Sequence, residues 1–133
     1  MHELFEIVLC VRDVDIAATF YRDAVGLEPI NPPGDGWASF WVGPEEDNKW
    51  LGLRSGHLLF EEHSPRPEGQ RFGPVHFALK LQANERDAAL DRLKAFGITV
   101  LGPKEWLGGR FAGASFYFYD PDDNLVELWI PDA

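Results

Sequence analysis

The sequence predicts the same order of elements twice: a strand, a helix and then three strands. In the first half, residues 5–11 have the apolar, β-branched composition of a strand, and helically spaced apolar residues follow over residues 15–25. In the second half, residues 75–81 form the corresponding strand and residues 84–96 the corresponding helix. Internal repetition of this kind severely limits the possible folds. We therefore predict an α+β fold of two tandem βαβββ modules whose mixed sheets form a curved cup.

The predicted module boundaries follow from the composition of the middle of the chain. Residues 64–74 are rich in proline, glycine and charged residues, as linkers are. This places module 1 at residues 1–63 and module 2 at residues 75–133. The remaining strands are predicted at residues 28–30, 49–53, 57–62, 98–101, 114–119 and 125–130. The additional strand-like run Trp37–Val42 is interpreted as a bent continuation of the strand before it.

Each predicted helix has an apolar stripe and recognisable ends. The residues expected to be buried are Ile16, Phe20 and Ala24 in the first helix and Ala89, Leu93 and Phe96 in the second. Asp13 and Asn84 are the expected N-caps. Gly26 and Gly97 are placed to end the two helices.

The last two strands are predicted to form a hairpin around Asp120–Asn124, a cluster of turn-forming residues. Strand alternation puts Leu125, Glu127 and Trp129 on one face of the final strand. Glu127 is thus an acid in mid-strand with apolar neighbours. Burying a carboxylate there costs several kcal/mol unless a cation or hydrogen-bond donors compensate its charge.

Charge and cysteine content restrict the possible partners and compartment. Lys and Arg number 12 and Asp and Glu 22, which gives a net charge of −10 and argues against nucleic acid or an anionic membrane as partner. Cys10 is the single cysteine, so no intrachain disulfide can form. No apolar run has the length of a membrane helix. We expect a cytoplasmic protein whose partner is a small molecule or a metal ion.

Four stretches of the sequence resemble the vicinal oxygen chelate superfamily, which includes glyoxalase I, bleomycin-resistance proteins, fosfomycin-resistance enzymes and extradiol dioxygenases. The stretches are Val11–Val14, Phe20–Leu27, Gly73–Leu79 and Tyr119–Leu128. The resemblance covers nearly the whole chain and implies the fold predicted above. It also implies a homodimer, because the family often builds each cup from modules of different chains. One scaffold of this kind hosts many chemistries.

The resemblance implies a metal site at three positions, which are Glu6, His76 and Glu127 in this chain. His76 and Glu127 match the residue types of the family, whereas Glu6 stands where a histidine is commoner. The ion would be divalent, with Mn, Fe, Ni, Co, Zn and Mg all compatible with one nitrogen and two oxygen ligands. Some family members take a fourth ligand from the last strand of the first module. The repeat places Phe60 there, and phenylalanine cannot bind a metal.

Ordinary structural roles are open for the same three residues. A strand histidine is often a hydrogen-bonded core residue, and Glu127 could accept bonds from backbone or arginine. Glu6, near the start of the chain, could face solvent. Loss of the first-strand histidine is expected of family members that bind ligands without metal or chemistry.

Aromatic and basic residues are candidates for contacting a ligand. Trp37 and Trp41 share a strand face and could line an apolar substrate site, although a subunit interface would explain them equally well. Residues 104–113 form a glycine-punctuated segment suited to a flap that brings Arg110 to an anionic group. Tyr117 or Tyr119 could supply a proton donor if its side chain points inward.

Two functions are therefore expected from the sequence. The first is a divalent-metal enzyme, a lyase, transferase or dioxygenase of the vicinal oxygen chelate type, that acts on a small oxygenated molecule with Glu127 in its catalytic site. The second is a metal-free, bleomycin-resistance-like protein that sequesters a hydrophobic or aromatic compound.

Overall fold

The structure is a computed structural model that describes residues 1–56 and 74–132. It divides into two compact units, one containing strands β1–β4 and the other β5–β8. The first unit contains β1 (Glu6–Cys10), α1 (Val14–Thr19), a π-helical turn (Phe20–Val25, shared between the units), β2 (Pro29–Gly34), β3 (Trp37–Trp41), a 3-10 turn (Glu45–Asp47) and β4 (Trp50–Arg54). The second contains β5 (His76–Lys80), a 3-10 turn (Ala83–Glu85), α2 (Arg86–Ala95), β6 (Leu101–Trp106), β7 (Gly113–Tyr119) and β8 (Leu125–Pro131).

The two sheets have the same topology. The strand orders are β1-β4-β3-β2 and β5-β8-β7-β6. In each sheet the first strand pairs in parallel with the last strand, and the other pairings are antiparallel. The predicted α+β architecture of two tandem βαβββ modules is confirmed. The predicted linker, residues 64–74, lies outside the described residues except for Pro74, so the exact module boundaries stay a prediction.

The assignment of strands within the first module requires a correction. Trp37–Trp41 is a strand of its own, separated from β2 by the turn at Asp35–Gly36, and is not a bent continuation of the preceding strand. The parallel partner of β1 is Trp50–Arg54. That strand occupies the place that the sequence prediction had given to His57–Glu62, a segment outside the described residues.

The first helix begins as predicted but changes its geometry half-way. Asp13 is the N-cap, and its Oδ1 accepts hydrogen bonds from the backbone N–H groups of Asp15 and Ile16 at 2.9 and 3.1 Å. The helix becomes π-helical at Phe20, which shifts the phase of the buried stripe. Phe20 is buried as predicted, whereas Ile16 is 58% exposed and that part of the prediction is wrong.

The helical segment of the second unit is capped two residues earlier than predicted, at Gln82 and not at Asn84. A 3-10 turn precedes α2, and the backbone N–H of Gln82 donates to Glu85 Oε1 at 3.1 Å. This pair, rather than Asn84, starts the helical segment. Ala89 and Leu93 are buried as predicted. Phe96, the C-cap residue of α2, is 43% exposed, so its predicted burial is wrong.

Each sheet packs one face against its helix. In the first unit, Tyr21 lies against Phe40 with ring centroids 6.4 Å apart. In the second unit, Leu90 of α2 packs on a buried cluster that includes Phe116 and Ile130. Strand alternation then places the side chains of the intervening residues on the opposite face of each sheet.

At Gly113, the first residue of β7, the backbone lies very close to the backbone of β8, and this close approach can be tested by mutation. Gly113 has φ +151°, and a Cβ there would collide with the backbone carbonyl oxygen of Ile130 on β8. Gly113→Ala should therefore lower the free energy of unfolding by at least about 2 kcal/mol, measured by chemical denaturation.

Gly34→Ala is the matched control, because a Cβ at Gly34 meets nothing within 4 Å. It should change the stability by less than about 0.5 kcal/mol. Equal stabilities of the two variants would contradict the packing described for β7 and β8.

Candidate functional site

The second unit carries a histidine and a glutamate in contact on the face of its sheet that is opposite α2. His76 starts β5, and Glu127 lies in the middle of β8, the parallel neighbour of β5. His76 Nε2 is 3.1 Å from Glu127 Oε1. Half of the histidine side chain is exposed, against 13% of the glutamate side chain, so a small ligand can reach the pair from the side of His76.

A buried turn fixes the register that brings these two residues together. Asp120 Oδ1 accepts hydrogen bonds from the backbone N–H groups of Asp122 and Asn124, and Asp120 Oδ2 accepts one from Asn124 Nδ2. Asn124 Oδ1 in turn accepts the backbone N–H of Val75 at 2.9 Å. Because Val75 precedes His76 in the chain, the turn between β7 and β8 also fixes the start of β5.

The backbone determines which nitrogen of His76 carries a proton. Nδ1 lies 3.0 Å from the carbonyl oxygen of Leu125. A carbonyl can only accept a hydrogen bond, so Nδ1–H must be the donor. In the neutral ring Nε2 is then unprotonated, and its lone pair faces a carboxylate oxygen. A positive centre between these two acceptors, such as a metal cation that both atoms bind, would make their contact at 3.1 Å favourable.

The other oxygen of Glu127 is held by a chain of hydrogen bonds. Trp106 Nε1–H donates to Ser115 Oγ at 2.9 Å, and the Ser115 hydroxyl donates to Glu127 Oε2 at 2.6 Å. This distance is typical of a bond from a hydroxyl to an ionised carboxylate. The Ser115 hydroxyl is thus one of the donors that the sequence leads us to expect for Glu127 in mid-strand, and it satisfies Oε2.

The spacing of His76 and Glu127 suits a divalent ion. Two ligands at right angles around an ion with bonds of about 2.1 Å lie about 3.0 Å apart, close to the observed 3.1 Å. Ligand histidines commonly donate their second ring nitrogen to a carbonyl, as His76 does. The two residues therefore fit two positions of a metal site.

Tyr117, Arg110 and the predicted flap also belong to the second unit. Tyr117 pairs directly with Glu127 across β7 and β8, and its ring centroid is 6.2 Å from that of His76. Arg110 is exposed in the segment between β6 and β7. The predicted flap, residues 104–113, is shorter than expected, because Lys104 belongs to β6 and pairs with Ser115.

Glu6, Trp37 and Trp41 belong to the sheet of the first unit. Glu6 is exposed at the start of β1 and pairs with Trp50. The matching registers of the two sheets put Gly52 of β4 where Glu127 stands in β8. The alignment of Phe60 with that position is therefore wrong, and Gly52, which occupies it, has no side chain to offer as a ligand.

Gly52 lies between two tryptophan rings. A Cβ at Gly52 would be 3.6 Å from a ring carbon of Trp37 and 3.6 Å from one of Trp50. The Arg54 guanidinium lies 5.1 Å from the centroid of the Trp37 ring, and its Nη1 donates to the Asp35 carbonyl at 2.7 Å. Trp41 pairs with Trp50 across β3 and β4 and shares its face of the sheet. The rings form an aromatic surface, as the composition of the strand indicated.

Ser115 is the site residue that sequence reasoning missed. Its position two residues before Tyr117 puts it on the face of Glu127, and this parity could have identified it. In residues 1–56 and 74–132 of a single chain, no group of three His, Cys, Asp or Glu side chains is arranged to hold a metal. Over the same residues, no helix has both the length and the apolar character that a bilayer span requires.

Comparison with known proteins identifies relatives along almost the whole chain. Residues 3–128 match the family model of the Glyoxalase/Bleomycin resistance protein/Dioxygenase superfamily. The fosfomycin resistance protein FosX of Listeria monocytogenes is 30% identical over 129 residues, which cover 94% of this chain and 86% of that protein.

Solved structures with the same fold include two informative neighbours. An integron cassette protein from the mobile metagenome of V. cholerae has a TM-score of 0.75 and 26% identity, with 99% of this chain and 97% of that chain covered. A mutant FosX from Listeria monocytogenes, complexed with Mn(II) and 1S,2S-dihydroxypropylphosphonic acid, has a TM-score of 0.67 and 26% identity, with 99% and 92% covered.

The role of Asn124 in the turn before β8 can be tested by mutation. Asn124→Ala removes the acceptor of the Val75 N–H and a donor to Asp120, both of which lie in a buried region. Unfolding should become easier by about 1–3 kcal/mol, measured by urea denaturation.

Asp123→Gly in the same turn serves as the control. Asp123 has φ +66°, which glycine adopts without strain, so this change should be neutral or slightly stabilising. A stable Asn124→Ala variant would show that the side chain does not anchor the turn.

Proposed function

Because the chain belongs to the glyoxalase/bleomycin resistance protein/dioxygenase superfamily, we propose that it is a divalent-metal-dependent enzyme acting on a small oxygenated molecule. The observation that carries the proposal is the contact of His76 Nε2 with Glu127 Oε1 at 3.1 Å, in which Nδ1 of the histidine is already committed to a carbonyl. His76 Nε2 and Glu127 Oε1 would hold a divalent cation between them, which would relieve the opposition of the two acceptors, and the exposed side of His76 would give the ion access.

His76 and Glu127 are two of the proposed ligands, and Glu6 is the third. A carboxylate at Glu6 is a competent oxygen ligand for Mn, Fe, Ni, Co, Zn or Mg, although the family more often has histidine there. The set contains one nitrogen and two oxygens, and leaves positions for substrate oxygen or water. FosX of Listeria monocytogenes with Mn(II) bound supports manganese as the first ion to test.

The residues around the pair have separate roles in the proposed mechanism. A bound divalent ion supplies Lewis acidity that polarises an oxygen of the substrate. Glu127 contributes negative charge to the site through Oε1, while its Oε2 stays bonded to Ser115. Tyr117, whose ring lies beside His76, offers a phenolic proton to the substrate on the same face of the sheet. Arg110 and Lys104 are the candidate cations for an anionic substrate group.

The fosfomycin resistance relatives make fosfomycin the first compound to test as substrate. The finer features of the sequence prediction are part of the same proposal: a homodimer in which two copies complete each site, and a cytoplasmic location consistent with a single cysteine.

The aromatic surface of the first unit favours a second candidate function. The rings of Trp37 and Trp50 flank Gly52, and Trp41 continues the same face. Flat aromatic or hydrophobic compounds stack well on such surfaces. A metal-free protein that sequesters such a compound would use this surface, and Glu6 in place of histidine agrees with it.

Metal binding to the purified protein separates the two candidates. The metal-free protein should bind Mn²⁺ in isothermal titration calorimetry, and His76→Ala should weaken binding by at least about 100-fold, since loss of an outer-shell partner alone costs about 10–100-fold. His2→Ala removes an exposed histidine near the terminus and is the matched control. Wild-type protein that binds no Mn²⁺ or other divalent ion would reject the enzyme and leave the sequestering function.

The origin of the third ligand can be tested with mixed dimers. Glu6→Ala and His76→Ala chains carrying different affinity tags are co-expressed, and the mixed dimer is isolated. If each site takes Glu6 from one copy and His76 with Glu127 from the other, the mixed dimer contains one intact site and recovers Mn²⁺ binding that each parent variant lacks. A mixed dimer with no recovery would show that the three ligands belong to one chain.

A further inference from the structure

We propose that Ser115 and Trp106 are positioning residues that orient the Glu127 carboxylate for cation binding, an inference that rests on the proposed function. Neither residue is assigned a role by the sequence prediction. The geometry points to them because the hydrogen bonds between them can run in one direction only.

The direction follows from the donors and acceptors in the chain. The indole N–H of Trp106 can only donate, so Ser115 Oγ is its acceptor at 2.9 Å. The serine has one proton of its own, and the carboxylate of Glu127 accepts it at 2.6 Å. Because Trp106 uses the acceptor side of the hydroxyl, the Ser115 proton is directed to Oε2.

Directing Oε2 to Ser115 leaves Oε1 as the oxygen that faces His76. The serine hydroxyl thus fixes the carboxylate at Oε2, while Oε1 lies 3.1 Å from Nε2 of the imidazole. A ligand whose orientation is fixed before the ion arrives loses less conformational entropy on binding. The serine is fully buried and Glu127 is 13% exposed, so water does not readily replace this bond.

The strands around Ser115 hold the network in place. Ser115 pairs with Trp129 of β8 on one side and with Lys104 of β6 on the other. The Lys104 ammonium lies 5.2 Å from the centroid of the Trp106 ring, which favours the observed position of the indole. Trp106 itself is at the end of β6 and pairs with Gly113.

A second tryptophan on the same face of the sheet serves as the control. Trp129 also donates its indole N–H, but to the backbone carbonyl of Phe111 at 3.1 Å and not to the carboxylate network. Trp106→Phe and Trp129→Phe therefore remove the same chemical group, and only the first removal reaches Glu127.

The test compares Mn²⁺ affinity by isothermal titration calorimetry in wild-type protein, Ser115→Ala, Trp106→Phe and Trp129→Phe. Ser115→Ala should weaken binding by about 10–100-fold, as expected for loss of a direct partner of a ligand. Trp106→Phe should weaken it by a smaller factor, because the serine retains its bond to Glu127. Trp129→Phe should leave the affinity unchanged.

Far-ultraviolet circular dichroism shows whether each variant is folded. Trp106 lies on the partly exposed edge strand, so Trp106→Phe still tests the proposal if Ser115→Ala does not fold.

A spectroscopic measurement separates positioning from a general effect on structure. In the ¹H–¹⁵N spectrum of wild-type protein, the indole signal of Trp106 should shift when diamagnetic Zn²⁺ binds, and the Trp129 signal should shift less. The two tryptophan variants assign the two signals.

The possible outcomes distinguish this inference from the proposed function. Wild-type protein that binds Mn²⁺ while Ser115→Ala and Trp106→Phe bind it equally well overturns the positioning role and leaves the metal site intact. Equal losses in Trp106→Phe and Trp129→Phe also overturn it. Wild-type protein that binds no divalent ion rejects the proposed function, and the positioning role with it.

Discussion

The hydrogen bond between His76 Nδ1 and the carbonyl of Leu125 is the interaction on which the site depends. It places the proton on Nδ1 and aims Nε2 at the carboxylate of Glu127. The bond exists because β5 and β8 run parallel in a register that sets His76 beside Leu125. A change of one residue in that register would turn the imidazole to the helix side of the sheet. The chemistry proposed for this protein therefore depends on strand pairing as much as on residue type.

Three features of the second unit fix the register of β5, β7 and β8. The Asp120–Asn124 turn joins β7 to β8 and also binds the backbone before β5. Gly113 lets the start of β7 approach β8 more closely than a side chain would permit. Ser115, inside that pairing, then meets Glu127. The hairpin, its turn and the hydrogen-bond network therefore depend on one another. The first unit has the same topology, but Gly52 stands there at the position that Glu127 occupies in the second unit.

Much of the fold and part of the site could be predicted from the sequence, because both depend on periodicity. Strand parity put Glu127 on a definite face, and the repeat located His76 at the start of a strand. Other features depend on a choice between local alternatives that the hydrophobic periodicity does not decide. Asn84 and Gln82 are both plausible caps, and the reciprocal partner Glu85 favours Gln82. The π-helical turn at Phe20 changes which side of the first helix is buried. The hydrogen bonds of Ser115 with Trp106 and Glu127 could not be predicted from the sequence. They depend on how the side chains of three neighbouring strands, β6, β7 and β8, are placed relative to one another.

The most direct test of the account is a crystal structure of the protein grown with Mn²⁺, with data collected for anomalous scattering from manganese. We expect a single strong anomalous peak within bonding distance of His76 Nε2 and Glu127 Oε1, with His76 Nδ1 still bonded to the Leu125 carbonyl. It would be contradicted if no peak lay at the pair and His76 remained in direct contact with Glu127 at saturating Mn²⁺.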